Sequence, residues 1–196
     1  ITADTAGGLI ESAATGSQTD TINVQGTTDL ILGAEGTGGN DSITVAGSAS
    51  ALALTINVTD GTPGGDTFTL AGDIELANAQ ADTLALNIVT TGLNTTLTGD
   101  VTTATGSSVT ITLGDGAGGT NAFVVNTASA QNLAIAANFE SAAAGDTSNL
   151  SFTNTQGGAN TITVTGSIGA TVALDDVSID AAVNAPLAVT LASVST

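Results

Sequence analysis

The chain has 196 residues, of which 18 are Asp or Glu and none is Lys, Arg or His, so its formal net charge is -18. It also contains no Cys, Met, Trp or Tyr. Most nucleophiles, general bases near neutral pH and transition-metal ligands are therefore missing, and an enzyme is not predicted. Nucleic acid and anionic lipid are bound through basic side chains, so neither is an expected partner. No run approaches the roughly 18 apolar residues of a membrane helix, and no membrane insertion is predicted.

Residues 1–20 are rich in Ala, Gly, Ser and Thr and begin without a Met. We expect this segment to be a loosely ordered lead-in, or one half of a repeat that is completed elsewhere. The chain as a whole is expected to be a processed form or a piece of a longer polypeptide. No shift in composition marks a linker within residues 21–196, so they are predicted to form one continuous β-strand-repeat domain.

Apolar and polar residues alternate along much of residues 21–196, and this period of two is typical of strands with one buried face. Residues 128–144 are Ala-rich, but their alternation favours a strand over a helix. Pro63 falls in a predicted turn and Pro186 near the start of the last strand, where a missing N–H does least harm. The alternating apolar positions are Ile22 and Val24; Ile43 and Val45; Leu52, Leu54, Ile56 and Val58; Leu84, Leu86 and Ile88; Val109, Ile111 and Leu113; Leu133, Ile135, Ala137 and Phe139; Val172 and Leu174; Val177 and Ile179; and Leu187, Val189 and Leu191.

A turn followed by a strand occurs four times, at residues 36–45, 61–70, 116–125 and 155–164. Each copy combines glycines, an Asp or Asn, and alternating apolar residues, and each follows a strand-like run. Glycine accepts positive φ angles in tight turns, and Asp or Asn side chains bond the turn backbone. The pattern therefore predicts an all-β scaffold built from loose repeats.

These copies resemble the nonapeptide G-G-x-G-x-D-x-U-x of calcium-binding parallel β-rolls, in which U is a large apolar residue. The first two copies differ from the motif only at the second glycine, where Thr37 and Thr62 stand. Through these residues the chain resembles RTX-type surface proteins of bacteria. Its abundance of Thr, Ala, Gly, Asn and Val is similar to that of the crystalline surface-layer proteins.

The resemblance implies calcium between consecutive turns, held by turn carbonyls and by Asp41 and Asp66, with Asn121 and Asn160 at the same motif position in the other copies. Acids beside glycine elsewhere allow two interpretations. Asp favours turns because it bonds the local backbone, and flexible Asp-rich turns also supply the six to eight oxygens that calcium prefers. Two further candidate ligands of this kind are Asp60 and Asp115.

Two all-β architectures fit the length, a β-solenoid and a pair of immunoglobulin-like sandwiches of about 100 residues each. Sandwich cores usually depend on large aromatic residues, whereas the chain has only 4 Phe. A solenoid stacks small and β-branched residues and tolerates coils of variable length, which suits Gly-Gly pairs separated by 26, 54 and 39 residues. The solenoid, similar to a parallel β-helix or β-roll, is therefore favoured, and the tandem sandwich is the alternative.

The function predicted from these observations is structural. We expect a subunit or repeat of an extracellular assembly, a surface layer or fibril, stabilised by calcium. The expected location is the cell surface or the medium, the expected partners are copies of the chain, and a cell-surface glycan is a further candidate. An adhesin or autotransporter-type passenger or stalk is the alternative. Ice binding is a minor alternative, based on Thr-x-Thr triplets at residues 67–69, 110–112 and 161–163.

Overall fold

All regular secondary structure in the described part of the chain is β-strand, as expected from the alternating sequence. The computed structural model describes residues 8–12, 18–26, 30–32, 35–36, 39–40, 42–47, 52–60, 67–70, 73–76, 81–89, 94–127, 132–155, 158–182 and 185–195. The strands in these ranges are β1 (Gly8–Ser12), β2 (Gln18–Gly26), β3 (Leu30–Leu32), β4 (Glu35–Gly36), β5 (Gly39–Asn40), β6 (Ser42–Gly47), β7 (Leu52–Asp60), β8 (Thr67–Leu70), β9 (Asp73–Leu76), β10 (Thr83–Ile88), β11 (Asn94–Leu97), β12 (Val101–Thr103), β13 (Ser108–Leu113), β14 (Thr120–Asn126), β15 (Leu133–Ile135), β16 (Ala137–Ser141), β17 (Thr147–Asn154), β18 (Asn160–Ile168), β19 (Asp176–Ala181) and β20 (Leu187–Val194).

The strands stack into three parallel ladders, which the chain visits in the same order on every turn. The first ladder contains β2, β7, β10, β13 and β16, and the second contains β3, β8, β11, β14, β17 and β19. The third contains β1, β6, β9, β12, β15, β18 and β20. Only β4 and β5 pair antiparallel among the described strands, as a small hairpin. The fold is therefore a β-solenoid of about four turns, which confirms the favoured prediction over the tandem sandwich.

The turns differ in length, although the paired strands keep their register. Gln18 of β2 lies opposite Leu52 of β7, 34 residues later. Thr83 of β10 lies opposite Ser108 of β13 after only 25 residues. Since the ladders stay in register, the extra residues of a long turn lie in its connections, and the β4–β5 hairpin belongs to the longest of these turns. Coils of variable length explain the uneven spacing of the Gly-Gly pairs.

The interior is filled by apolar side chains that stack from turn to turn. In the first ladder, Ile56, Leu86, Ile111 and Phe139 are consecutive partners in register, and all four are buried. The Phe139 ring packs edge-on against Phe123 of the second ladder, with 5.6 Å between ring centres, so the two ladders meet inside. Each such buried side chain contributes about 1.5–3 kcal/mol relative to exposure, and these stacks are the main source of stability.

Most strand positions expected from the alternation are strands in the structure. The Ala-rich segment, residues 128–144, contains β15 and β16, as favoured over a helix. Within residues 1–20, β1 pairs parallel to β6. The prediction of a strand at Val172 and Leu174 was wrong, because both residues lie in the connection between β18 and β19. Leu174 is nevertheless buried in the core, which accounts for the apolar signal.

Candidate functional site

Three of the predicted calcium ligands belong to the earlier turns of the solenoid. Asp41 and Asp66, which the resemblance implies most directly, lie outside the described residues. Asp60 ends β7 and lies opposite Gly26 of β2 in the first ladder. The other predicted ligands lie in later turns.

Asp115 and Asn160 have clear structural roles. Asp115 is exposed in the connection between β13 and β14, where its Oδ1 accepts a 2.8 Å hydrogen bond from the N–H of Ala117. This bond within one turn is the behaviour expected of a turn-forming Asp. Asn160 is buried at the start of β18 and donates from Nδ2 to Thr127 Oγ1 at 3.1 Å and to Asn154 Oδ1 at 3.2 Å. Its amide therefore links the second and third ladders inside the solenoid.

Asn121 is the predicted ligand with no visible structural role. It lies in β14 with 1% of its surface exposed, and neither Oδ1 nor Nδ2 has a hydrogen-bond partner in the described part of the chain. Its neighbour in the ladder is Ser148 of β17. The Ser148 hydroxyl is already bonded, at 3.1 Å to the Leu113 carbonyl and at 2.9 Å to the Ser141 hydroxyl. An unpartnered buried amide costs about 1–3 kcal/mol.

The described members of the predicted set do not converge on one point. Asp115 is exposed to solvent, Asn121 is interior, and Asn160 lies on the opposite side of β14, at a different connection. Within the residues that the structure describes, no group of three or more acidic side chains is placed to hold a metal ion. Calcium binding therefore stays a prediction, and it concerns chiefly Asp41 and Asp66.

Acids at the start of the third-ladder strands link neighbouring turns. The Oδ1 atom of Asp73 accepts a 2.8 Å hydrogen bond from the N–H of Asp100, one turn later. Asp100 repeats this with the N–H of Ala134, also at 2.8 Å. Asn132 continues the series, accepting from the N–H of Thr161 at 2.9 Å. We call Asp73, Asp100 and Asn132 the acceptor ladder, since each side chain accepts a backbone hydrogen bond from the next turn.

A second kind of link forms where the first ladder passes to the second. The buried carboxylate of Asp146 accepts from the N–H of Gly116 at 3.0 Å and from the N–H of Gly118 at 2.8 Å. Both glycines belong to the connection one turn earlier. A Cβ at Gly114, where φ is +111°, would collide with this carboxylate. The glycine-rich segment is therefore shaped around Asp146, which satisfies the hydrogen bonds of its backbone.

The last turns use their acids in the same way. Oδ2 of Asp175 accepts from the N–H of Ser148 at 2.8 Å, and the Asp175 N–H donates to the Ser148 carbonyl at 2.9 Å. Oε2 of Glu140 accepts from the N–H groups of Thr171 and Val172, at 2.9 and 3.0 Å. These carboxylates hold the connection between β18 and β19 against the turn before it. Carboxylate acceptors are stronger than neutral ones, so such bonds suit a chain with no basic side chain.

A depression of about 170 Å³ lies where the third ladder passes to the first. It is lined by hydroxyl, amide and small side chains, among them Ser107, Asn138 and Thr165, and by no acidic residue. Small-molecule sites usually enclose about 300–1,000 Å³ and are mostly apolar. The depression therefore has neither the size nor the chemistry of a typical ligand pocket.

The Thr-x-Thr triplets lie on three different ladders. Residues 67–69 belong to β8 in the second ladder, residues 110–112 to β13 in the first, and residues 161–163 to β18 in the third. They therefore form no single array, and the triplet pattern does not support ice binding.

Comparison with known proteins adds no relative to these observations. No protein-family model, curated protein or solved structure matches the chain. Among the described residues, no helix is long and apolar enough to cross a membrane. The chain's own geometry, above all the carboxylates that join its turns, is therefore the basis for any proposal about function.

Three inter-turn acceptors share a signal in the sequence. Asp73, Asp100 and Asp146 each follow a glycine and stand at or just before the first residue of a strand. The sequence identifies such acids as turn residues, and the structure adds that they bond the backbone of a neighbouring turn. Glu140 has no such signal, because it lies inside β16 and its partners are about thirty residues away, at Thr171 and Val172.

Proposed function

We propose that the chain is a structural subunit or repeat of an extracellular assembly, a surface layer or a fibril, and that calcium stabilises it. The observation that carries this proposal is the use of the polar side chains. Asp73, Asp100 and Asp146 bond the backbone of neighbouring turns instead of converging on a cleft. A molecule whose acids mainly join one turn to the next suits a role as a rigid building element.

The charge of the chain supports the calcium part of this proposal. No basic side chain offsets the net charge of -18. Several acids, including Glu75, Asp115, Asp176 and Asp180, are exposed on the described surface. Two such surfaces repel each other, and a divalent cation held between carboxylates of both would turn repulsion into attraction. Calcium suits this role because it accepts six to eight oxygen ligands in flexible geometry.

The test is a calcium titration of the purified 196-residue chain from an EDTA-treated start, followed by far-UV circular dichroism and by sedimentation. The expected result is growth of large assemblies at millimolar or lower calcium, with magnesium unable to replace it. The double variant Asp41→Asn with Asp66→Asn should need about tenfold more calcium, since each lost carboxylate weakens a hard-cation site. Glu75→Gln is the matched control, because it removes one exposed charge outside the predicted ligand set.

A second outcome separates the two structural functions. If the chain is a folded β-monomer in EDTA and ignores calcium, the surface-polymer proposal is wrong. The adhesin-type stalk then becomes the better explanation, because stacked turns with a filled interior also make a stiff spacer. A stalk does not require contacts between copies, so sedimentation of a monomeric rod at all calcium concentrations distinguishes it.

A further inference from the structure

The last described turn leaves apolar side chains uncovered. Ile179 of β19 is 55% exposed, although its partner in the ladder, Phe152, is 0% exposed. Val194 of β20 is 44% exposed, against 1% for its partner Ile168. Repeat proteins usually finish with a turn whose outer side is polar, because an open stack exposes its core. This end therefore lacks the polar cap that would keep a single copy from associating.

Both ends of the described solenoid also present unpaired strand edges. Among the described residues, β19 pairs only with β17 and β20 only with β18. At the other end β1, β2 and β3 each have one neighbour, namely β6, β7 and β8. A strand with unpaired N–H and C=O groups on one side readily accepts another strand.

The two ends match each other in direction and in order. Every inter-turn pairing in the three ladders is parallel, so a copy placed end to end continues each ladder in the same sense. In such a stack β20 of one copy meets β1 of the next in the third ladder, and β19 meets β3 in the second. By sequence these N-terminal strands are rich in large apolar residues, including Leu9, Ile10 and all three residues of β3.

A full turn is large enough for a stable contact. From Thr83 to its partner Ser108 a turn takes 25 residues, and from Gln18 to Leu52 it takes 34. Standard protein interfaces bury about 800 Å² per partner with about 20–30 residues on each side. We propose that the C-terminal turn, β19 and β20, docks head to tail on the N-terminal turn, β1, β2 and β3, of a second copy. This inference rests on the proposed structural function and names the surfaces that join its copies.

A head-to-tail contact of this kind does not close on itself, so it extends into a filament. The exposed acids Asp176 and Asp180 lie on β19 beside the contact. Their charges oppose the approach of a second acidic copy. Cations therefore favour the contact, in agreement with the calcium dependence proposed for the assembly.

The first test compares two lysine variants of the full chain by sedimentation velocity in calcium. Ile179→Lys places a charge at the uncovered apolar position and should weaken association at least tenfold. Ser178→Lys adds the same charge one residue away, at a position that pairs with Ser151 and faces the other side of β19, and should associate like the unchanged chain. Far-UV circular dichroism checks that both variants keep their strands. Equal weakening by both variants, or by neither, overturns the contact.

The second test does not depend on a destabilising charge. The chain has no cysteine, so Ala188→Cys in β20 and Glu11→Cys in β1 each introduce a single thiol. The variants are mixed in EDTA, calcium is added, and a short bis-maleimide is applied. Head-to-tail stacking predicts cross-linked dimers in the mixture and none in either variant alone.

The outcomes separate this contact from the proposed function. Cross-linking of Ala188→Cys with itself would mean that two C-terminal ends meet, and the head-to-tail contact would be wrong. Large assemblies without the mixed cross-link would place the contact elsewhere and leave the structural function standing. A chain that stays monomeric in calcium would overturn both.

Discussion

At the scale of single residues, the most informative position is a buried hydroxyl without a partner. Thr95 is 0% exposed in β11, and its Oγ1 has no hydrogen-bond partner in the described part of the chain. Its partners in the second ladder are Phe68 and Phe123, so the hydroxyl occupies a position between two phenylalanines in register. A buried hydroxyl that makes no hydrogen bond costs stability, whereas a methyl group of the same shape does not.

Thr95→Val is therefore expected to stabilise the chain, by about 1 kcal/mol in the free energy of unfolding. The measurement is a urea titration followed by circular dichroism, with the midpoint moving to higher urea. Thr112→Val is the matched control, since Thr112 is half-buried on β13 and its hydroxyl can reach water. That control should change the free energy by less than about 0.5 kcal/mol. A lower midpoint for Thr95→Val would show that the hydroxyl has a partner.

Two aspartates of one corner lead to a second prediction. Asp146 is buried and accepts two backbone hydrogen bonds from the previous turn, whereas Asp115 is exposed and accepts one within its own turn. Asp146→Ala should lower the free energy of unfolding in EDTA by about 2 kcal/mol or more, because bonds to a charged acceptor are strong. Asp115→Ala should cost less than about 1 kcal/mol. Equal losses measured by urea titration would contradict the inter-turn role of Asp146.

The sequence predicts the chemistry of these acids but not their partners. A glycine before Asp73, Asp100 and Asp146 marks each one as a turn residue, and the absence of basic residues requires that backbone or water satisfy it. The partner is a backbone group about thirty residues away, because the length of a coil sets which turns meet. Coil length varies and follows no fixed period, so the partner is known only once the turns are stacked. For the same reason the sequence does not reveal that Asn121 is interior and unpartnered.

At the scale of single elements, β18 explains how two ladders become one sheet. Its first residues pair with β15 in the third ladder, and Ile168 at its end pairs with Phe139 in the first. The register with β20 shifts between Val164 and Ser167. A Cβ at Gly166, within this shift, would collide with the Ala137 carbonyl. The bend of β18 therefore requires close contact between two backbones, which only glycine allows.

Gly166→Ala should destabilise the fold by about 1–3 kcal/mol, the usual cost of forcing extra atoms into a packed site. The control is Gly145→Ala, where an added Cβ meets nothing within 4 Å. It should lie within about 0.5 kcal/mol of the unchanged chain. Thermal unfolding followed by circular dichroism measures both. A Gly166→Ala variant as stable as the control would show that β18 can shift away from β16 without loss.

The elements themselves follow closely from the sequence, since a period of two is a local property. The alternation at Leu84, Leu86 and Ile88 predicts β10, and the apolar members are the ones that become buried. Val172 and Leu174 have the same alternation without forming a strand, because a buried residue in a connection produces the same signal. The order of strands within each ladder is not local. It depends on which turns lie on one another, and the parallel fold places equivalent strands 25 or more residues apart.

At the scale of the whole molecule, the fold leaves a large negative charge without any internal balance. The chain carries -18 with no basic side chain. Folding brings the acids closer together than they are in the extended chain, so their mutual repulsion opposes the compact state. Hydrogen bonds to backbone N–H groups stabilise individual carboxylates such as Asp146, but they do not remove the net charge. The stability of the solenoid should therefore depend on the ions around it.

Raising sodium chloride from about 0.01 M to about 0.15 M shortens the screening length from about 30 Å to about 8 Å. In EDTA this should raise the unfolding temperature by about 5 °C, which for a chain of this length corresponds to about 2 kcal/mol. Tetramethylammonium chloride is the control, because it screens equally but coordinates carboxylates poorly. Equal shifts in both salts indicate screening of the net charge, whereas a shift in sodium alone indicates bound cations between acids. An unfolding temperature that stays constant in both would contradict the argument, since repulsion among the carboxylates would then not limit the stability of the fold.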